Sequence, residues 1–278
     1  MSWKLQYLFD LKGRVAVITG GTGTLGRMHA EVIAEMGGIP VLGDINRKGL
    51  ETFAKSIASR YKVDCMGAFL DVTKRGSIRS LLSQVLRRFG RIDILINNAA
   101  HNPKVRGRQK DGAWSRFEAF ELKRWKEDLE VGLTGAFLCS QVLGSEMATH
   151  GGGVILNIAS ELALIAPDQR IYRESGLREE RQPVKPVSYS VAKAGLLMLT
   201  KYLATYWARK NVRVNSLSPG GVYEGQPARF VRRLCDLIPM GRMAKKDEYK
   251  AAVAFLCSDA SSYMTGTNLV IDGGRTAW

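Results

Sequence analysis

Seven apolar runs of strand length punctuate this chain: RVAVIT (14–19), IPVLGD (39–44), DCMGAFLD (64–71), RIDILIN (91–97), GVILNIAS (153–160), VRVNSLS (212–218) and TNLVIDGG (267–274). Between them lie segments with apolar residues at helical spacing, such as LGRMHAEVIAEMG, RSLLSQVLRRFG and KAGLLMLTKYLATYWARK. Strands buried on both faces read as near-continuous apolar runs, whereas a sheet with one wet face alternates. The pattern predicts a doubly wound α/β fold, a parallel sheet of about seven strands with helices on both faces. No internal repeat, low-complexity tract or Pro/Ser-rich linker interrupts residues 1–278, so a single domain is expected. Two connections, near 101–122 and 167–187, are too long for turns and are expected to be binding loops or lids.

The first run leads into TGGTGTLG, residues 19–26, where Gly21, Gly23 and Gly26 fit G-x-G-x-x-G. A strand before the pattern, a helix after it and an acid, Asp44, closing the second strand supply the setting in which it binds a dinucleotide. Glycines permit the tight turn and let backbone N–H groups approach a pyrophosphate, while the helix N-terminus adds unpaired donors and the positive end of its dipole. A sheet of Rossmann type is therefore expected. Asp44 would accept hydrogen bonds from an adenosine ribose and repel a 2′-phosphate, which favours NAD over NADP; Arg47 and Lys48 just beyond it would soften that choice.

Composition narrows the partners. The formal net charge of +15 admits nucleic acid, an anionic membrane surface or an acidic small molecule. No nucleic-acid motif or aromatic stacking platform accompanies that charge, so a nucleic-acid partner is not expected. Four basic residues, Lys104, Arg106, Arg108 and Lys110, cluster just after the fourth strand, with Asp111 the adjacent acid. Loops beyond the carboxyl ends of parallel strands border the ligand crevice, so Arg106 and Arg108 are expected to meet an anionic group of the substrate. Nowhere do enough apolar residues run together to span a membrane, and the N-terminus carries no signal-peptide core. Cys65, Cys139, Cys235 and Cys257 are scattered without metal-ligand spacing, so no metal is expected and a reducing cytoplasm fits.

A Tyr-x-x-x-Lys spacing occurs twice, at Tyr189/Lys193 and at Tyr206/Lys210. Either pair could be a surface contact between neighbouring helical turns. Context separates them: a strand ending in Ser160 precedes Tyr189, Pro186 and a candidate N-cap, Ser188, stand just before it, and Tyr206 sits in the stripe Leu199, Tyr202, Leu203. TGGTGTLG, NNAA (97–100), Ser160, Tyr189-x-x-x-Lys193, SPGG (218–221) and the closing VIDGG together resemble the short-chain dehydrogenase/reductase family over nearly the whole chain. The resemblance implies that Ser160 polarises a substrate oxygen, Tyr189 is the acid/base, and Lys193 holds the ribose and biases Tyr189 toward phenolate. It implies cofactor contacts at Gly20, Gly21, Thr24, Leu25 and Gly26, at Asp44 and Ile45, and at Asp71 and Val72 on the adenine side. Asn97, Asn98 and Ala99 would shape the crevice, and Pro219, Gly220 and Val222 would lie near the nicotinamide.

Two positions depart from the family pattern. Gly132, in WKEDLEVGLTGAF, stands where the family carries an asparagine that holds a relay water, and Thr24 stands where its single-domain branch has glycine. A narrower resemblance, carried by IAPDQRIY (165–172), KYLATYW (201–207), GQPARF (225–230) and DGGRTAW (272–278), points to the flagellin-modification oxidoreductases of nonulosonic-acid pathways. It implies a sugar-like substrate, phosphorylated, nucleotide-linked or amino. A catalytically silent dinucleotide-binding scaffold and an enzyme acting on a non-sugar ketone or alcohol stay open as alternatives. Apolar residues spread around the helices spanning Val131 to Met147 and Lys193 to Trp207, so a homo-oligomer, a tetramer or a dimer, is expected.

Overall fold

The computed structural model describes residues 4–102, 105 and 113–278. All seven apolar runs form strands: β1 Val15–Thr19, β2 Ile39–Asp44, β3 Met66–Phe69, β4 Ile94–Asn97, β5 Gly153–Ile158, β6 Val212–Pro219 and β7 Asn268–Ile271. They make one parallel sheet in the order β3-β2-β1-β4-β5-β6-β7. The fold is the doubly wound Rossmann-type α/β architecture that the apolar runs imply.

Alternate residues of each strand feed opposite cores, as the pleat requires. Ala16, Ile18, Ile94, Ile96, Leu156 and Leu217 point to one side and pack with α1 (Thr24–Glu35), α2 (Leu50–Tyr61) and a late helix, Lys250–Cys257. Val15, Val17, Leu95, Ile155 and Val214 point to the other, against α3 (Arg75–Phe89) and two long helices. The first of these, α4, runs over residues 122–149 and includes two π-helical turns, Glu130–Thr134 and Ser140–Gly144. The second, α5, is Val187–Trp207. α6 (Ala228–Cys235) follows β6, which makes Lys250–Cys257 α7.

The chain runs outward from β1 through β2 to β3, then returns to place β4 on the other side of β1, in register Ala16↔Ile94 and Ile18↔Ile96. Loops leaving the carboxyl ends of β1 and β4 therefore diverge and open a crevice at that switch point. The 167–187 connection is ordered: short 3-10 turns at Gln169–Tyr172 and Glu179–Arg181 fold it back, and the Gln182 amide pins it by donating to Glu174 O (3.1 Å) and Leu177 O (2.8 Å). Among the described residues no helix is long and apolar enough to cross a membrane, and no cluster of His, Cys, Asp or Glu could hold a metal ion.

Candidate active site

The crevice between β1 and β4 has a volume of about 380 Å³ and is lined by Gly20, Thr24, Leu25, Asp44, Ile45, Asp71, Val72, Asn98 and Ala99 among others. Gly20 has φ +65°, and a Cβ there would sit 3.0 Å from Ala99 Cα. A Cβ on Gly26 would come within 2.2 Å of Gly20 O, so no side chain fits where α1 meets the turn. Gly21 packs against Leu42 and donates its N–H to Gly43 O at 3.1 Å. The N-cap of α1 is Gly23, which contributes no side-chain cap, leaving the first-turn amides to an external acceptor. This cradle suits a pyrophosphate.

Asp44 ends β2 at the crevice rim. Its Oδ2 accepts from Thr22 N (2.9 Å) and Thr22 Oγ1 (2.7 Å), and its Oδ1 accepts from Asn46 N (2.9 Å). A carboxylate has about four acceptor sites, so Oδ1 retains capacity for a ribose hydroxyl. The Arg47 guanidinium lies over the Phe69 ring, 4.3 Å from its centroid. Across the crevice, Asn98 Nδ2 donates to Thr19 O (2.9 Å) and Gly20 O (3.1 Å), tying the β4 loop to the glycine turn. Asn97 does not reach the crevice as expected: it is buried, and its amide donates to Ser140 Oγ (3.1 Å) and Asn157 Oδ1 (2.9 Å), joining β4, β5 and α4. Asp71 folds back on Thr73, accepting from its N–H (2.9 Å) and hydroxyl (2.7 Å).

Ser160, Tyr189 and Lys193 come together at the carboxyl end of β5. Ser160 is 6% exposed, accepts from Leu162 N at 3.2 Å, and lies close enough to Tyr189 for its hydroxyl to pull the phenol's pKa down. Lys193, 5% exposed, donates to Ile158 O at 2.6 Å, and its Nζ is 6.0 Å from the Tyr189 ring centroid. The expected pull of Lys193 on Tyr189 is not what governs the tyrosine. Burial raises the phenol above its ordinary pKa, the Ser160 hydroxyl opposes that rise and Glu161 adds to it. Burial and repulsion from Lys185 lower Lys193 to about 8.

Several neighbours carry no signal at the sequence level. Lys185 lies on the face of the Tyr189 ring, its Nζ 3.7 Å from the centroid, and donates to Asn102 Oδ1 at 2.6 Å. Buried Asp128 of α4 accepts from the Ser188 hydroxyl and pairs with His101. The N-cap of α5 is Pro186, so Ser188 is inside the first turn and spends its hydroxyl on Asp128 instead of capping. Glu161, next to Ser160, is 6% exposed, has an Oε2 with no hydrogen-bond partner, and is raised by burial to about 7, with Arg275 opposing and Asp272 reinforcing. A long loop gives no periodicity from which these contacts could be read, and only the fold brings 101–102, 128, 185 and 189 together.

The remaining expected residues lie near the end of β6. Pro219 closes the strand, Gly220 donates to Ile271 O (2.8 Å) and accepts from the Tyr249 hydroxyl (3.1 Å), and Val222 bridges to Ala244. Gly132 falls in the first π turn of α4, where an added Cβ would lie 3.3 Å from Ala192 Cβ of α5. Tyr206, the alternative tyrosine, is 65% exposed and stacks on Tyr202, so among the described residues no site encloses it. Arg106 and Arg108, with the rest of the basic cluster at Lys104 and Lys110, lie outside the described residues.

A family model described as enoyl-(acyl carrier protein) reductase matches residues 21–276. The chain is 32% identical over 276 residues to an NAD-dependent glycerol dehydrogenase of Listeria innocua, covering 96% of each chain. It is 33% identical over 280 residues to a D-threitol dehydrogenase of Mycolicibacterium smegmatis, covering 98% of this chain and 96% of the relative. Among solved structures, a gluconate 5-dehydrogenase from Burkholderia cenocepacia in complex with NADP and tartrate superposes with a TM-score of 0.85 at 29% identity, covering 99% of this chain and 100% of that one. With the glycine cradle at the β1–β4 switch point and Ser160, Tyr189 and Lys193 gathered beside it, the chain is an oxidoreductase that belongs to the short-chain dehydrogenase/reductase family.

Proposed function

We propose that this protein is an NAD-dependent dehydrogenase/reductase that interconverts a carbinol and a carbonyl of a polyol or sugar-like substrate. The observation that carries the reading is the meeting of Ser160, Tyr189 and Lys193 at the carboxyl end of β5, beside a crevice whose glycines leave room for a dinucleotide. The polyol relatives, one NAD-dependent, supply the substrate class. Asp44 supports NAD: a 2′-phosphate would meet its carboxylate at short range, and Arg47 is engaged with Phe69.

The amides opening α1 would hold the pyrophosphate, Asp44 the adenosine ribose, and Lys193 the other ribose. The bound nicotinamide would supply the acceptor or donor of the hydride. Tyr189 holds the proton at its phenol oxygen and exchanges it with the substrate oxygen, which Ser160 positions by a second hydrogen bond. Burial that raises the Tyr189 pKa stabilises the protonated phenol, the form that donates during carbonyl reduction. Alcohol oxidation needs the phenolate, which the influence of Ser160 favours against burial. Gly132 offers no side chain for a relay water, so Lys193 would exchange its proton with ordered water directly.

The test is cofactor reduction by the purified protein with a panel of polyols and aldonates, and cofactor oxidation with the matching ketoses and keto acids. Turnover with members of this class supports the reading. Tight NAD binding without turnover of any member would replace it with a cofactor-binding scaffold.

A further inference from the structure

We infer that Lys185 is a specificity-determining residue, and that it takes a carboxylate carried by the substrate close to its reacting carbon. The inference rests on the proposed oxidoreductase reading and names the substrate class within it.

Lys185 immediately precedes Pro186, the N-cap of α5, so it is fixed by the backbone that positions Tyr189. Its main chain is held as well: Lys185 N donates to Gln169 Oε1 at 2.8 Å and Gln169 Nε2 donates to Lys185 O at 3.4 Å. The side chain folds over Tyr189, with Nζ 3.7 Å from the ring centroid and 2.6 Å from Asn102 Oδ1. Asn102 follows the β4 loop that lines the cofactor crevice through Ala99 and Ala100. The ammonium thus stands between the crevice loop and the catalytic ring, where a substrate hydrogen-bonded to Tyr189 must extend.

Its bonding is incomplete. An ammonium has three donors. One goes to Asn102 and another faces the aromatic ring, which among the described residues leaves a third for an incoming group. No ion pair among the described residues includes Lys185 or Lys193. Asp128 attracts Lys185 but is occupied by Ser188 and His101. The half-buried Lys185 ammonium and the buried Lys193 ammonium therefore both flank Tyr189, and Lys185 repels Lys193. Removing cations from water without a counterion is costly, and an anion arriving with the substrate relieves that cost. With one donor free, Lys185 can match the single charge of a carboxylate, whereas a phosphate dianion would bring acceptors and charge that this one lysine cannot satisfy. Lys185 also borders a cavity of about 400 Å³ shared with Gln169, Val184 and Val187.

The experiment compares matched substrates on the whole protein with NAD and with NADP: glycerate against glycerol, threonate against threitol, gluconate against glucitol, and glucitol 6-phosphate as a third arm. The expected result is a higher kcat/KM for the acid in at least one pair. In Lys185→Gln the acid-to-polyol ratio of kcat/KM should fall at least tenfold, mainly through KM, with partial recovery in Lys185→Arg. The wild-type preference needs no variant, so a Lys185→Gln protein that fails to fold leaves the inference exposed to refutation. Preference for the neutral polyols, preference for the phosphate, or an equal loss for both members of each pair in Lys185→Gln would overturn it. In those outcomes the oxidoreductase reading stands. Absence of turnover across all arms and both cofactors would remove that reading, and the inference with it.

Discussion

Replacing Glu161 by Gln tests whether a buried carboxyl beside Ser160 is held against its own ionisation. Glu161 is 6% exposed, its Oε2 has no hydrogen-bond partner, and burial raises its pKa from 4.5 to about 7 despite the attraction of Arg275. Each pKa unit corresponds to about 1.4 kcal/mol, so the shift is worth about 3 kcal/mol of folding stability. Because the folded pKa is raised, this contribution is complete below about pH 4.5 and is lost as pH rises through about 7. Glutamine keeps the shape and cannot ionise. Thermal unfolding of both proteins at matched scan rates from pH 5 to pH 8 isolates the group, since titrations common to the two cancel. The melting temperature of Glu161→Gln should gain on the wild type by about 4 °C across that interval, taking about 2 cal/mol/K per residue for the unfolding entropy. Parallel profiles would show that Arg275 cancels burial and a wild type that gains on the variant as pH rises that it outweighs burial; either would refute the argument.

Tyr189→Phe should lower kcat by about 10²–10⁴-fold with cofactor affinity nearly intact, while Tyr206→Phe stays active; steady-state rates and fluorescence titration decide, and equal losses would reject the choice between the twin pairs. NAD(H) should bind at least about tenfold tighter than NADP(H), and Asp44→Ala should erase most of that preference in a fluorescence titration. An unchanged ratio would assign the choice to Arg47 and Lys48. Val191, Met198, Tyr202 and Tyr206 leave an exposed apolar row on α5, with Phe137 exposed on α4. Light scattering should give an oligomeric mass that falls in Met198→Asp/Tyr202→Asp, whereas a monomeric wild type would leave the row without that role.

Much of this protein was determined by sequence alone, because the deciding interactions are local or periodic. Each apolar run must be buried on both faces, so seven runs separated by helical segments leave few alternatives to a parallel sheet covered on both sides. Gly20 and Gly26 are legible for a similar reason: a positive φ and a 2.2 Å approach to a carbonyl exclude any other residue. Pairing Tyr189 with Lys193 needs only one helical turn, and Ser160 only the end of the preceding strand. The tertiary structure decided what depends on groups far apart in sequence. It sent Asn97 into the buried contacts between β4 and β5 and left Asn98 at the crevice. It put two π turns into α4, with Gly132 in the first. It set the Lys185 ammonium against Asn102, in the loop after β4, and buried Glu161 within electrostatic reach of Arg275 and Asp272, groups more than a hundred residues away. Charge and desolvation depend on what surrounds a side chain in space, and a loop without periodicity gives no sign of what the folded chain will bring beside it.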